Sequence, residues 1–356
     1  MRRRFQAIAP LTRHLDPRRR ITPVHYISRH DACRVQPVTA TQGSIDVDAF
    51  CYLAWEPAVP LHLRGFHHLP AMKTWFTGSN SEGEPVSLGD KLVSSADAIV
   101  SYELMTSSSR DGEHADACSM SPLRGFQVWL KGQPTGNIDG RPLCALIDHL
   151  LALAEGNQPR FLQFDAPLSL IIQASRYNQS TDNSSRRMKQ LYIAQSDIRS
   201  LPSALAEDLP VPMLVRRAGK GDIYSSSIWL GLQPTYTPLH RDPNPNLFCQ
   251  LAGSKAVRLL RPRAGMSVFQ DVRRRLGSSG SSRLRGSEMM DGPERNELHR
   301  AVWVGDRSDD APPEKEIWQA LLDPGDALFI PQGWWHSVRS VGREAELNAS
   351  ANWWFR

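Results

Sequence analysis

Cysteine is scarce in this chain: five in 356 residues, at positions 33, 51, 118, 144 and 249, odd in number and with no CxxC. That excludes a secreted disulfide framework and a thiolate zinc site, and it fits a reducing compartment. Long apolar runs are also missing. The best, LCALIDHLLALA from Leu143, is interrupted by Asp148 and His149 and falls short of the roughly 20 residues a membrane helix needs, so no membrane span is expected. There is no Walker-type loop, no GxGxxG and no internal repeat, which leaves nucleotide-binding readings without support.

Lysine is absent from the first 34 residues, which hold nine arginines against Asp16 and Asp31, a net of +7. Since the whole chain has a formal charge of +5, residues 35–356 are left at −2. The high isoelectric point therefore belongs to the leader, and gives no evidence for DNA or other nucleic-acid binding by the folded part. Two readings of residues 1–43 stand side by side: a mitochondrial transit segment, or a solvated arm in a cytoplasmic or nuclear protein.

What is present is an ordinary globular composition, 40% hydrophobic and 22% charged. Residues 48–76 alternate a short apolar helix with the Pro-bounded strand VPLHLRG. A helix is expected at about 142–155, with Pro142 in its first turn, a Leu143, Leu146, Ile147, Leu150, Leu153 face and Gly156 at its end. Strand-like segments follow: RFLQFDA, QLYIAQ, SSSIWLGLQ, NLFCQLA, KAVRLLRP and DALFIPQG. Helices before many short strands predict a front at 44–185 and a β sandwich or barrel at 186–356. Gly253-Ser254 reads as a two-residue hairpin turn making Ala252 and Lys255 cross-strand neighbours, with Asn246, Phe248 and Gln250 on the face of Lys255. Residues 264–319, Gly/Ser-rich and charged, read as a long loop insertion, with His299 solvated inside it.

In PTYTPLHRDPNPN, residues 234–246, Pro238, Pro243 and Pro245 disfavour helix, and an extended chain sends His240 and Asp242 to one face. An imidazole beside a carboxylate is part of a metal site. His336, in LDPGDALFIPQGWWHSV after a Pro324-Gly325 turn, is the candidate third ligand. Two histidines and a carboxylate serve both non-haem Fe(II) and zinc, so these residues alone leave the metal open.

The ordered set LYIAQ, IWLGLQPTYTPLHRDPNPNLFCQLAGSKAVRLLRP, PGDALFIPQGWWHSV and NWWFR resembles the JmjC-domain oxygenases, small hydroxylase type, over roughly residues 45–356. The resemblance implies a mainly β fold with N-terminal helices around a double-stranded β-helix, the jelly-roll core of cupins. It implies iron ligation by His240, Asp242 and His336, and a Lys255 ammonium paired with the distal carboxylate of 2-oxoglutarate. Thr237 and Tyr192 match hydroxyls bonding that carboxylate, Asn246 an amide of the pocket, and Gln195, Trp229 and Asn352 its lining. Trp334, Trp335, Trp353 and Trp354 are expected to pack.

Fe(II), 2-oxoglutarate and dioxygen are then the implied cofactor and cosubstrates, with hydroxylation of a protein side chain or RNA base and release of succinate and carbon dioxide. The alternatives are N-methyl-lysine demethylation by the same chemistry, for which no reader module is attached, and a catalytically silent cupin that binds a partner.

Overall fold

The computed structural model describes residues 35–78, 86–106, 121–133, 140–154, 160–277, 290–304 and 316–356. The Arg-rich leader to residue 34, and with it the transit reading, lies outside them. Two short strands come first, β1 (Val35–Pro37) and β2 (Ala40–Gln42). The helix Val47–Phe50 begins where the Asp46 carboxylate accepts the Ala49 N–H, and it runs on through Cys51–Trp55. It leads to β3 (Leu61–Arg64), the two-residue pair β4 (Phe76–Thr77) and β5 (Ser87–Leu88), and β6 (Ile99–Met105). Helices Pro122–Lys131 and Gly140–Leu153, β7 (Phe161–Pro167), helix Ser169–Gln179 and β8 (Leu191–Asp197) complete the front.

The closing strands are β9 (Ile223–Leu232), β10 (Tyr236–Arg241), β11 (Asn246–Ala252), β12 (Ser254–Leu260), β13 (Ile317–Leu322), β14 (Ala327–Ile330), β15 (Trp335–Val341) and β16 (Leu347–Phe355). In one sheet the order is β14-β11-β16-β9, in the other β13-β12-β15-β10. Successive strands therefore change sheet at every step but β12 to β13, which is the double-stranded β-helix. The front extends the first sheet, β3 and β2 beyond β14, and β8, β6 and β7 beyond β9; β1 adds to the second beside β13. Phe248, Leu328 and Ile330 of the first sheet pack between the layers with Val257, Leu259, Ala320, Leu322 and Val338 of the second. Each such aliphatic side chain stabilises the sandwich by about 1.5–3 kcal/mol on burial.

Three expectations need correction. The first concerns the Gly253-Ser254 hairpin. β11 pairs with β14 and β16, while β12 pairs with β13 and β15, so Ala252 and Lys255 are not cross-strand neighbours. Gly253, at φ +62°, turns the chain from one sheet to the other, where a Cβ would stand 2.8 Å from the Asn348 amide and 2.9 Å from the Leu347 carbonyl. Asn246, Phe248 and Lys255 still share the interior, because the two sheets face each other across it.

The second is the loop at 264–319. Helix Pro262–Leu276 has Pro262 in its first turn, Val268, Phe269 and Val272 buried, and Gly277 at φ +64° as its left-handed stop. Helix Pro293–His299 continues through Arg300–Val304, and β13 begins at Ile317. Within β9 to β16 this helical connection joins the one pair of consecutive strands that stay in the same sheet. It packs on the outer face of that sheet, with Gly265 so close to Trp335 that a Cβ would lie 2.1 Å from the indole. The third is the leader boundary: β1 pairs with β13 and β2 with β3, so residues 35–42 are part of the folded unit. The β-helix proper starts at Ile223, and β8 belongs to the extension.

Among the described residues no helix is long and apolar enough to cross a membrane.

Candidate metal and cosubstrate site

β10 and β15 run antiparallel, with Thr237 opposite Val338 and His240 opposite His336. Three residues on β10 thus span two on β15, a bulge that rotates the strand so that Thr237 and His240 both face the interior while Leu239 faces the outer core. The two imidazoles meet with ring centroids 4.2 Å apart. Asp242 follows just past the end of β10. Its Oδ1 lies 3.7 Å from His240 Nε2 and its Oδ2 3.6 Å from His336 Nε2, and one ligand atom from each of the three residues falls within 4.8 Å of the others.

Backbone and neighbours orient these groups. His240 Nδ1 lies 2.9 Å from the Pro238 carbonyl and His336 Nδ1 3.3 Å from that of Trp334. A carbonyl only accepts, so each Nδ1 carries the proton and each Nε2 presents a lone pair to the centre. Asp242 Oδ2 accepts from Trp354 Nε1 at 2.7 Å and from Asn246 Nδ2 at 3.2 Å; among the described residues Oδ1 receives no hydrogen bond. Burial opposes ionisation of Asp242, yet His336, His240, Trp354 and Asn246 together hold its pKa below the ordinary carboxylate value. Two nitrogen lone pairs and a carboxylate oxygen converging on one point are a donor set for a divalent ion, and the 2-His-1-carboxylate type suits ferrous iron.

A narrow cavity runs from these ligands between the sheets to Lys255. The Lys255 side chain is 1% exposed, and its ammonium donates to Ser350 Oγ at 2.8 Å and Tyr192 OH at 3.2 Å. Its Nζ lies 5.3 Å from the Phe248 ring centroid, and among the described residues no carboxylate pairs with it. Burial pushes its pKa down to about 7. Asn352 donates to Asn246 Oδ1 at 2.9 Å, while its own buried Oδ1 has no hydrogen-bond partner among the described residues. A buried cation surrounded by hydroxyls and lacking an anion fits the carboxylate end of a small dianion.

Of the residues singled out from sequence, His240, Asp242, His336, Lys255, Thr237, Tyr192, Asn246, Trp229 and Asn352 all line this one cavity. Gln195 does not. It sits at φ +55° in a bulge of β8, where the pairing with β9 slips between Ile193 and Ser196, and the extra residue turns its side chain to solvent. Ala194 takes the inward place, packed with Tyr192, Trp229 and Trp354. Sequence reasoning missed Ser350 and Trp354, the second of which was assigned to packing. Period-2 alternation from Asn352 along β16 identifies both. Trp334, Trp335 and Trp353 pack as expected, and Cys249 is a buried apolar filler.

Residues 55–356 match the family described as Cupin-like domain. The chain belongs to that family and is of its JmjC type, whose members are typically 2-oxoglutarate-dependent oxygenases and generally use Fe(II). It is similar to Jumonji C domain-containing protein 5 of Drosophila melanogaster, 30% identical over 165 residues, covering 46% of this chain and 36% of that protein. It is 29% identical over 175 residues to Lysine-specific demethylase JMJ30 of Arabidopsis thaliana (49% of this chain, 35% of that one). With Lysine-specific demethylase 8 of Danio rerio it shares 27% over 165 residues (46% and 36%). The matched stretch thus spans about a third of the length of these relatives.

Proposed function

We propose that this chain is an Fe(II)- and 2-oxoglutarate-dependent dioxygenase that hydroxylates a protein side chain or an RNA base. The observation that carries the reading is the joint occurrence, in one cavity, of the His240, Asp242, His336 donor set and a fully buried lysine that has no anionic partner among the described residues. Iron and 2-oxoglutarate, when bound, supply the chemistry that uses dioxygen to hydroxylate a C–H bond and yields succinate and carbon dioxide.

The chain's own residues bind and orient. His240 and His336 hold the ion through Nε2, and Asp242 holds it as a carboxylate kept in place by Trp354 and Asn246. Lys255, with the hydroxyls of Tyr192, Ser350 and Thr237, holds the distal carboxylate of the cosubstrate. The rings of Phe248, Trp229 and Tyr192 with Val338 exclude water from the space between. These roles leave the substrate to the mouth of the cavity.

A second reading, N-methyl-lysine demethylation, has the printed names of the Arabidopsis and Danio relatives in its favour. It uses the same site, since demethylation is hydroxylation of the N-methyl carbon followed by loss of formaldehyde. Succinate formation from 2-oxoglutarate in the presence of Fe(II), compared between the wild type and Asp242→Ala, tests the shared chemistry. Turnover in the first and none in a folded second is expected; no turnover in the wild type would favour a silent binding protein. With a peptide or RNA substrate, formaldehyde release separates demethylation from hydroxylation.

A further inference from the structure

The strand pair that carries the metal ligands has another face. Thr237, Val338 and His336 point into the sandwich, so by alternation Tyr236 and its cross-strand partner Arg339 point outward. There they meet the helix Pro293–His299, on which Arg295 and His299 are four residues apart and share one side. The Arg295 guanidinium lies 4.9 Å from the Tyr236 ring centroid, and the His299 imidazole stands edge-on to the same ring at 5.1 Å. His299, expected to be a solvated loop residue, is half-buried. Together these side chains border a cleft of about 520 Å³, open to solvent, that also reaches Asn296 and Ser340.

Among the described residues no carboxylate lines this cavity. Among the described residues neither Arg295 nor Arg339 forms an ion pair, and Arg295 Nε is buried with no hydrogen-bond partner. The carboxylate that acts on Arg295 is the exposed Asp291 at the head of the helix, while Glu297 on the next turn is taken by Arg275 and Arg300. Burial, and then the guanidiniums of Arg295, Arg339 and Arg258, push the His299 pKa below its ordinary value. Arg295 is half-buried and Arg339 exposed, so both charges can be reached by an anionic ligand from solvent.

We propose that this outer cavity is a binding site for a phosphoryl group, separate from the metal and cosubstrate site on the other side of the same two strands. The donors come from several directions, Arg295 and Asn296 from the helix and Arg339 from β15. A tetrahedral oxyanion with three free oxygens can accept from all of them at once, whereas a carboxylate offers two oxygens in one plane. The room beyond the donors exceeds inorganic phosphate alone, so the ester group of a phosphomonoester also fits.

The test is calorimetric titration of the full chain with inorganic phosphate at fixed ionic strength, with acetate as control. A phosphoserine peptide and a nucleoside monophosphate serve as further arms to tell the two sources of the phosphoryl group apart. Saturable phosphate binding without matching acetate binding is expected, weakened at least tenfold in Arg295→Gln/Arg339→Gln and severalfold in Arg339→Gln alone, whose exposed side chain can be changed without disturbing the fold. Lys255→Met should leave phosphate affinity unchanged, and Arg339→Gln should leave 2-oxoglutarate turnover unchanged. Equal phosphate affinity in wild type and Arg339→Gln, loss of binding in Lys255→Met, or no saturable phosphate binding in the wild type would overturn the proposal.

Discussion

The indole N–H of Trp354 donates to Asp242 Oδ2 at 2.7 Å, so the penultimate aromatic of β16 fixes the carboxylate that follows β10 in the opposite sheet. Together with Asn246 it occupies Oδ2 and leaves Oδ1 for a cation. Trp354→Phe keeps an aromatic ring in the cluster with Tyr192 and Trp229 but removes the donor. Its metal affinity is expected to fall by about 10- to 100-fold with the fold intact, as for other lost partners of metal ligands. Metal titration followed by fluorescence or calorimetry checks this; wild-type affinity would show that Asn246 alone holds the carboxylate.

Lys255 gives a prediction about protons as well as affinity. A charge-assisted hydrogen bond is worth about 1.5–3 kcal/mol, so Lys255→Met should raise the 2-oxoglutarate concentration needed for turnover by roughly ten- to hundredfold. Because burial lowers the folded-state pKa of Lys255 to about 7, the free protein binds fewer protons here than the unfolded chain between pH 7 and the ordinary lysine value. Stability of the free protein should therefore rise as pH increases through that window, and the benefit is absent below it. A bound dianion favours the ammonium, so cosubstrate binding at pH 8 should take up protons. Calorimetry in buffers of different ionisation enthalpy measures the uptake, which should vanish in Lys255→Met.

A chain beginning at Ser44 lacks β1 and β2, which pair with β13 and β3. It is expected to melt lower than one beginning at Ala32, while the latter should match the full chain. Identical melting of the two shorter chains would mean that the edge pairing contributes nothing.

Gly265 faces Trp335, the residue before a candidate ligand, with no room for a side chain. Gly265→Ala should destabilise by about 1–3 kcal/mol through overpacking, despite the better helix propensity of alanine. Denaturant melts give the difference. A stabilised variant would place the helix farther from the sheet than the structure does.

Asp326 of the PGD turn accepts from the Gly65 N–H at 2.8 Å and the Asp323 N–H at 3.2 Å, and its other contact is His62 Nε2 at 2.9 Å. Burial raises its pKa, but these partners outweigh it and hold the value below that of a free carboxylate. The stability it contributes is present above the ordinary carboxylate pKa and lost as pH falls through the lowered one. Asp326→Asn should lower stability at neutral pH and flatten the acid limb of the stability curve. An unchanged acid limb would assign acid unfolding to other groups.

The sequence by itself determined the local elements and the chemistry. Proline spacing and period-2 alternation placed His240 on an extended strand, with Asp242 just past its end, the PGD turn preceded His336, and the strand NLFCQLA is bounded as expected at Asn246–Ala252. These are short-range effects of backbone restriction and side-chain alternation, readable within a few residues. The helix Pro262–Leu276 was also written locally, in Pro262, Gly277 and the apolar face, but the Gly/Ser run that follows obscured it. Only the tertiary structure decided which strands pair. Gly253-Ser254 can turn a chain back within one sheet or across to another, and the choice rests on the packing of β14, β15 and β16, which lie far along the chain. The same packing set the bulge that turns His240 inward, sent Gln195 outward, and brought Trp354 to Asp242 and Arg339 to Tyr236, contacts made between side chains that no local pattern relates.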